Sequence, residues 1–345
     1  MASYDLTVRG AGIFGLSIAW AAVTRGARVQ VVDPNGPAAG SSGGIVGALA
    51  PHVPENWNPK KAFQLESLLM AKAFWSQVDA EGGGQSGYAR SGRLQPIADT
   101  HGLALARQRA EGAKTLWQGR TRWEVVAADY GDWAPTSPSG FLIHDTLSAL
   151  VHPRKGCDAL VRALATRGVP IVAEAVDAGA VIWATGVAGL QRLTGDHSRS
   201  MGAGVKGQAA LLAHDAAGLP QLFAGGVHII PHGDGTVAVG STSERDYITP
   251  DQTDAQLDDV ITAARAAVPA LANAEVINRW AGVRPRSRSR APMLGAWPGK
   301  PGHFIANGGF KIGFGMAPKV AQVMVDLVLE GQDTIPQGFR VEDNL

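Results

Sequence analysis

Apolar positions fall in short blocks whose spacing predicts a succession of elements. Leu6-Thr7-Val8 reads as a buried strand, and Gly10-Ala11-Gly12-Ile13-Phe14-Gly15 opens a helical stretch reaching about Thr24. Gly26 ends that helix, and Arg28-Val29-Gln30-Val31-Val32 forms a second strand that stops at Asp33. A longer helix is predicted from about Pro59 to Val78, with Phe63, Leu68, Leu69, Phe74 and Val78 roughly on one side. Short strands and turns follow Gly82-Gly83-Gly84, among them Gly92-Arg93-Leu94-Gln95-Pro96-Ile97, and then a helical stretch from Leu103 to Trp117.

From Val151 the mixed pattern returns. Pro153 suits a first helical turn, and Cys157, Leu160, Val161 and Leu164 share one helical face until Gly168. Val169-Pro170-Ile171-Val172 and Ala180-Val181-Ile182-Trp183 read as strands. Val227-His228-Ile229-Ile230, the turn His232-Gly233-Asp234-Gly235 and Thr236-Val237-Ala238-Val239 make a hairpin. Thr253 to Val268 is helical, and a last helix carries Val320, Val323, Met324, Leu327 and Val328 before Gly331.

The chain has 345 residues, beyond the roughly 250–300 at which a single core stops growing, so two domains are expected. The expected class is α/β: a Rossmann-like βαβ domain (1–85, 145–203 and 276–345) interleaved with an antiparallel-sheet α+β domain (86–144 and 204–275). Thirty-one basic against 30 acidic side chains give a net charge of +1, which argues against nucleic acid and acidic membrane surfaces as partners. Apolar content of 45% is ample for a core, and a single cysteine excludes a disulfide framework or a thiolate metal cluster. No histidine spacing suggests a metal site. No apolar run is long enough for a membrane span, and the first residues lack a basic leader, so a cytoplasmic protein is expected.

The 44 glycines are about twice the usual share, roughly 7%, and the first group carries chemistry. In the strand–turn–helix context, Gly10 permits the tight turn, Gly12 admits a pyrophosphate to the backbone, and Gly15 lets helix and strand approach. The helix N-terminus supplies N–H groups to phosphate, and Asp33 is placed to accept from ribose hydroxyls. These residues point to a dinucleotide without deciding between FAD and NAD. Ile182-Trp183-Ala184-Thr185-Gly186 looks like a second strand end near the same crevice.

The sequence resembles the flavin-dependent amino-acid oxidase family, which groups glycine oxidase, D-amino acid oxidase and monomeric sarcosine oxidase. The landmarks are the Gly10–Gly15 turn, Gly40-Ser41-Ser42-Gly43-Gly44 with Gly47-Ala48-Leu49-Ala50-Pro51-His52, and Ala184-Thr185-Gly186. Val227-His228-Ile229-Ile230-Pro231, Trp280-Ala281-Gly282-Val283-Arg284-Pro285 and Gly308-Gly309-Phe310-Lys311 follow in the family's order.

The resemblance implies non-covalent FAD, because Cys157 does not match the cysteine that links flavin in sarcosine oxidase. It places Gly10, Gly12, Ile13, Phe14 and Gly15 at the pyrophosphate and Asp33 at the adenosine ribose. Ser41 and Ser42 match a second phosphate-side loop that continues past the flavin through Ala48 and Leu49. Val176 matches a backbone contact to adenine, Thr185 and Gly186 a second glycine turn, and Gly309 and Phe310 the stretch leading to Lys311. Arg284 matches the arginine that pairs with the substrate carboxylate, Lys311 a carboxylate-binding position, and His228 a substrate-site tyrosine. His52 resembles a histidine position in a glycine oxidase loop.

The implied activity is oxidation of the C–N bond of glycine, sarcosine or a D-amino acid by hydride transfer from Cα to flavin N5. The imine then hydrolyses to a 2-oxo acid or aldehyde plus amine, and electrons pass to molecular oxygen or another acceptor. An amino-acid dehydrogenase using a quinone or carrier, a flavin enzyme of tRNA uridine modification and a non-enzymatic flavin protein are the alternatives. No lysine matches the oxygen-activating one of sarcosine oxidase, and Ser289 replaces an aspartate common in glycine-oxidase-like sequences.

Overall fold

The computed structural model describes residues 4–345. The chain opens with β1 (Leu6–Arg9), α1 (Ile13–Thr24), β2 (Val29–Val32) and β3 (Ala48–Leu49). Helix α2 (Pro59–Gly82) starts where Asn58 accepts the Lys61 N–H at 3.1 Å and stops at left-handed Gly83. Then come β4 (Arg93–Pro96), α3 (Thr100–Leu116), β5 (Trp123–Ala127), β6 (Phe141–Asp145) and β7 (Ala149–Leu150). Pro153 takes the first position of α4 (Pro153–Thr166), which leads to β8 (Ile171–Val172), β9 (Ala180–Trp183) and α5 (Gly186–Asp196). The last third holds β10 (Gly202–Ala213), β11 (Gln221–Ala224), β12 (Val227–Pro231), β13 (Thr236–Gly240) and α6 (Gln256–Ala267). Strands β14 (Glu275–Ser287), β15 (Met293–Ala296) and β16 (His303–Asn307) precede α7 (Gly313–Glu330), which Gly331 closes at φ +70°.

Two large sheets organise these elements. The first runs β15-β16-β9-β1-β2-β8, parallel except for the edge strand β15. Strand order reverses on either side of β1, so a crevice opens at the carboxyl ends of β1 and β9, where ligands bind in open α/β sheets. Helix α1 is apolar on nearly every side because it packs on the sheet and also against α4 and α7. The core formed there is the larger one.

The second sheet runs β14-β10-β13-β12-β11-β4-β6-β5, antiparallel except at β11–β4. One face packs on α6 around Leu212, Ile229, Val237 and Ile261. Across the other face, Trp280, Ala209, Gly240, His228 and Phe223 stand in register on five successive strands. β14 pairs with β10 along its whole length, so residues 276–287, expected in the nucleotide-binding part, lie in the antiparallel sheet. Their pairing partner is some seventy residues away and invisible to local patterning. No helix among the described residues is long and apolar enough to cross a membrane.

Candidate active site

A cavity of about 1080 Å³ joins the crevice of the first sheet to the open face of the second. At the crevice end, Gly10 adopts φ +108°, and a Cβ there would overlap the Ala184 carbonyl. A Cβ on Gly15 would overlap the Gly10 carbonyl, so this glycine sets the contact between helix and turn and lies outside the cavity lining. A Cβ on Gly12 would stand 3.1 Å from Ser42 Oγ, which accepts the Ile13 N–H at 3.0 Å. Helix α1 has no side-chain cap at Gly12, and Gly12, Ile13 and Phe14 all face the cavity. Its N-terminus is thus presented to whatever binds there.

Asp33 braces the turn as well as lining the cavity. Its Oδ2 accepts the Ala11 N–H at 2.8 Å and its Oδ1 the Asn35 N–H at 3.0 Å. Arg9, out of place in an apolar strand, pairs with Asp177 at 2.7 Å and lies 5.2 Å from the Trp183 ring; Arg9 and Trp183 line the cavity. Ser41, Ala48, Thr185 and Gly186 also line it, whereas Leu49 is buried behind it. Val176 is not in the lining; it is 88% exposed, and its carbonyl accepts from Gln30 Nε2 at 2.8 Å.

Arg154 was missed in the sequence. It lines the cavity from the first turn of α4, with its guanidinium against Gly43 and Nη1 donating to the Pro37 carbonyl at 3.3 Å. A cation is disfavoured at the positive end of a helix, and that misplacement was the available signal for a phosphate-side role.

At the other end, Arg284 reaches in from β14. Nη1 donates to Ser241 Oγ at 2.9 Å, and Nη2 donates to the carbonyls of Thr242 at 2.7 Å and Lys206 at 3.2 Å. Its Nε–H has no partner among the described residues, and no carboxylate there lies within ion-pairing distance. Burial pulls the guanidinium down to about 10, with Glu244 opposing from a distance. Both terminal nitrogens thus help to hold the residue in place, and one Nη1 N–H and the Nε–H are left over.

Phe310 sits at φ +44°, its N–H bonded to the Pro285 carbonyl at 3.0 Å. Its ring lies 5.8 Å from Arg284 Cζ and 5.8 Å from Lys311 Nζ. Lys311 lines the cavity without a hydrogen-bond partner among the described residues, and burial and then the Arg284 charge lower its proton affinity. Gly309 lines the same wall. His228 packs against Phe223 with centroids 4.8 Å apart and the rings tilted by 46°, and its Nδ1 is unpartnered. Burial, then Arg93, then Lys311 push its imidazole down to about 4. His52 also lines the cavity, held by Gln64. Arg93, Ser241, Phe223 and Trp280 are lining residues to which the sequence assigned no role.

A switch-point crevice with a glycine cradle, open onto an antiparallel floor of fixed cations, defines a dinucleotide-binding oxidoreductase. The chain belongs to the family of FAD-dependent oxidoreductases, whose model matches residues 5–327. It is 26% identical to a glycine oxidase of Pseudomonas putida over 99% of this chain and all of that protein. Glycine oxidase from Geobacillus kaustophilus superimposes with a TM-score of 0.84 at 20% identity, covering 98% of both chains. Iminodiacetate oxidase from Chelativorans sp. BNC1 gives 0.84 at 22% identity, covering 97% of this chain and 98% of that one.

The site fits the family's cofactor. The cavity-lining backbone of Gly10 and Gly12, the start of α1 beyond the Ile13–Ser42 bond and Arg154 suit a pyrophosphate, and the cavity continues past Gly44 and Ala48 to Arg284. Among the described residues, no group of three or more His, Cys, Asp or Glu side chains could hold a metal.

Proposed function

We propose that the protein oxidises the C–N bond of a small amino acid, of the class glycine, sarcosine or a D-amino acid, with FAD held non-covalently. The observation that carries this reading is the pair Arg284 and Lys311, two cations without a carboxylate partner, in the cavity that also contains the dinucleotide cradle. A charge without a counter-ion in a partly desolvated wall is costly unless a ligand completes it. A substrate carboxylate placed there gains charge-assisted hydrogen bonds, including one from the Ser241 hydroxyl. The alignment with a glycine oxidase over the full chain supports the same class.

Bound FAD would supply the two-electron acceptor; the chain's own residues bind and orient. Gly10, Gly12, Ser42 and Arg154 would hold the pyrophosphate. Arg284 and Lys311 would fix the carboxylate and so the direction of the Cα–H bond, which counts for a large share of catalysis by positioning. His228, uncharged at neutral pH, would offer the substrate amine a hydrogen bond without repelling its cation. The substrate loses a hydride from Cα and a proton from nitrogen, and water then splits the resulting imine. Cys157, fully buried in α4 with its thiol pushed up to about 12, supports a flavin held without a covalent link.

Anaerobic titration of the purified holoenzyme with glycine, sarcosine and D-amino acids tests this. Bleaching of the flavin by a member of this panel is expected, and a flavin that no small amine reduces would refute it. Peroxide formation against dye reduction then separates oxygen, the favoured acceptor, from a quinone or carrier. Acid denaturation should release all the flavin into solution.

A further inference from the structure

Arg93 stands directly opposite Asp145 on the antiparallel pair β4–β6. Its Nε donates to Asp145 Oδ2 at 3.0 Å, while Asp145 Oδ1 accepts the Ser148 N–H at 2.7 Å. Asp145 is fully buried and Arg93 is 7% exposed. The carboxylate thus meets the guanidinium through one nitrogen only. Among the described residues neither Nη1 nor Nη2 of Arg93 has a hydrogen-bond partner, and Arg93 lines the cavity. That is the reverse of Arg284, whose two terminal nitrogens are both engaged. The open planar fork of this site belongs to Arg93.

Neither terminal nitrogen of Arg93 is among the fully buried unpartnered atoms: both open on the cavity, where a planar fork suits a carboxylate. Here the unused teeth face the same space as His228, whose imidazole feels the charges of both Arg93 and Lys311. Around His228 the cavity therefore has two cationic poles, Arg93 with its Asp145 partner and Lys311 with Arg284. A monocarboxylate at Arg284 and Lys311 leaves the terminal nitrogens of Arg93 without an acceptor, although Asp145 balances its charge.

We propose that Arg93 binds a second carboxylate of the substrate, so that the amino acid oxidised is one carrying two acidic groups. The α-carboxylate occupies the Arg284–Lys311 pole, and the distal acid lies against the Arg93 fork. Asp145 sets the direction of the fork through Nε and balances its charge, so the distal carboxylate is held by directed hydrogen bonds from Nη1 and Nη2. This inference rests on the amino-acid oxidation reading for its reaction and on Arg93 alone for its selectivity.

The test has a binding arm and a turnover arm, both on the holoenzyme. In the first, the flavin spectrum is titrated with succinate and glutarate against acetate and butyrate, none of which can be oxidised at a C–N bond. Dicarboxylates are expected to bind at least about tenfold more tightly, and equal or weaker binding overturns the proposal whatever the enzyme turns over. In the second, D-glutamate is compared with D-glutamine, and iminodiacetate with sarcosine. A kcat/KM ratio of about ten or more in favour of the diacid is expected, carried by KM. A neutral partner that equals or exceeds its diacid overturns the proposal. If no amine in the panel reduces the flavin, the oxidation reading fails, while the binding arm still decides the role of Arg93.

The double variant Arg93→Gln/Asp145→Asn removes both charges without stranding a buried carboxylate, and Arg93→Lys keeps the charge but loses the fork. Both should bring the diacid preference toward one. A variant that weakens diacid and neutral substrate by the same factor shows a structural pair and refutes the assignment. Should the variants fail to fold, the ligand comparisons on the unaltered protein stand on their own.

Discussion

The guanidinium of Arg284 occupies the space that a side chain at Gly207 would fill. Gly207 lies on β10 next to the strand that carries Arg284, and a Cβ built there would overlap both Nη2 and Cζ. The absence of a methyl group on one strand thus sets where the charge on the next one stands. The same arginine donates to the Lys206 carbonyl, so the neighbouring strand both admits and holds it.

Gly207→Ala should therefore displace Arg284 without touching the nucleotide end. The expected result is a KM raised at least about tenfold, equivalent to about 1.4 kcal/mol of lost substrate binding, with flavin content unchanged. Steady-state kinetics beside the flavin absorbance of the purified variant checks it. Unchanged KM would show that the guanidinium has room elsewhere and that its position is not set by Gly207.

Gly12 makes a contrasting case at the other end. A branched side chain would meet Ser42 Oγ and take the space between the start of α1 and the Ser41–Gly43 segment. Gly12→Val is expected to yield folded protein that has lost most of its flavin. Far-ultraviolet circular dichroism and absorbance after gel filtration read the two properties separately. A fully yellow Gly12→Val protein would mean that the pyrophosphate does not use this turn.

These two ends differ in how far the sequence revealed them. The Gly10–Gly15 turn is local in sequence: strand, turn, helix and second strand lie within some thirty residues, and Gly15 makes room for the Gly10 carbonyl. Its strand–turn–helix–strand order follows the expected pattern, with Asp33 bonded to the Ala11 and Asn35 N–H groups. Arg284, Lys311 and His228 came only through family resemblance, since no spacing rule links three strands and turns so far apart. Arg93 was read merely as part of a strand. Its partner Asp145 and its neighbour His228 reach it through sheet register, which single-sequence patterning does not carry. Val176, placed at the adenine by the resemblance alone, lies outside the cavity wall with its side chain exposed.

Two histidines give the fold a direction of acid sensitivity. His152 and His228 are each held down to about 4, His152 by burial first and then by His232 and Lys155. Their folded values lie below the ordinary 6.5, so the unfolded chain takes up protons that the folded one refuses. Stability is therefore full above about pH 6.5 and is lost as pH falls toward 4. His152→Asn retains a side chain able to cap α4, whose Lys155 N–H the imidazole now accepts at 3.4 Å. Thermal unfolding should show a melting temperature that drops between pH 6.5 and 4 in the parent and less steeply in the variant. Parallel curves would remove His152 from the account.

Arg284 and Lys311 should also betray each other in pH dependence. Burial and then the Arg284 charge lower the proton affinity of Lys311, so its ammonium is lost at a lower pH than that of an ordinary lysine. Carboxylate binding that uses Lys311 must weaken as pH rises through that value. Arg284→Met removes the neighbouring charge and should shift the alkaline limb of the KM profile to higher pH, while raising KM throughout. The loss of hydrogen bonds to a charged group, about 1.5–3 kcal/mol, corresponds to roughly 10- to 150-fold in kcat/KM. Lys311→Met should abolish the alkaline limb itself. A limb that stays in place in both variants would assign it to another group and detach Lys311 from substrate binding.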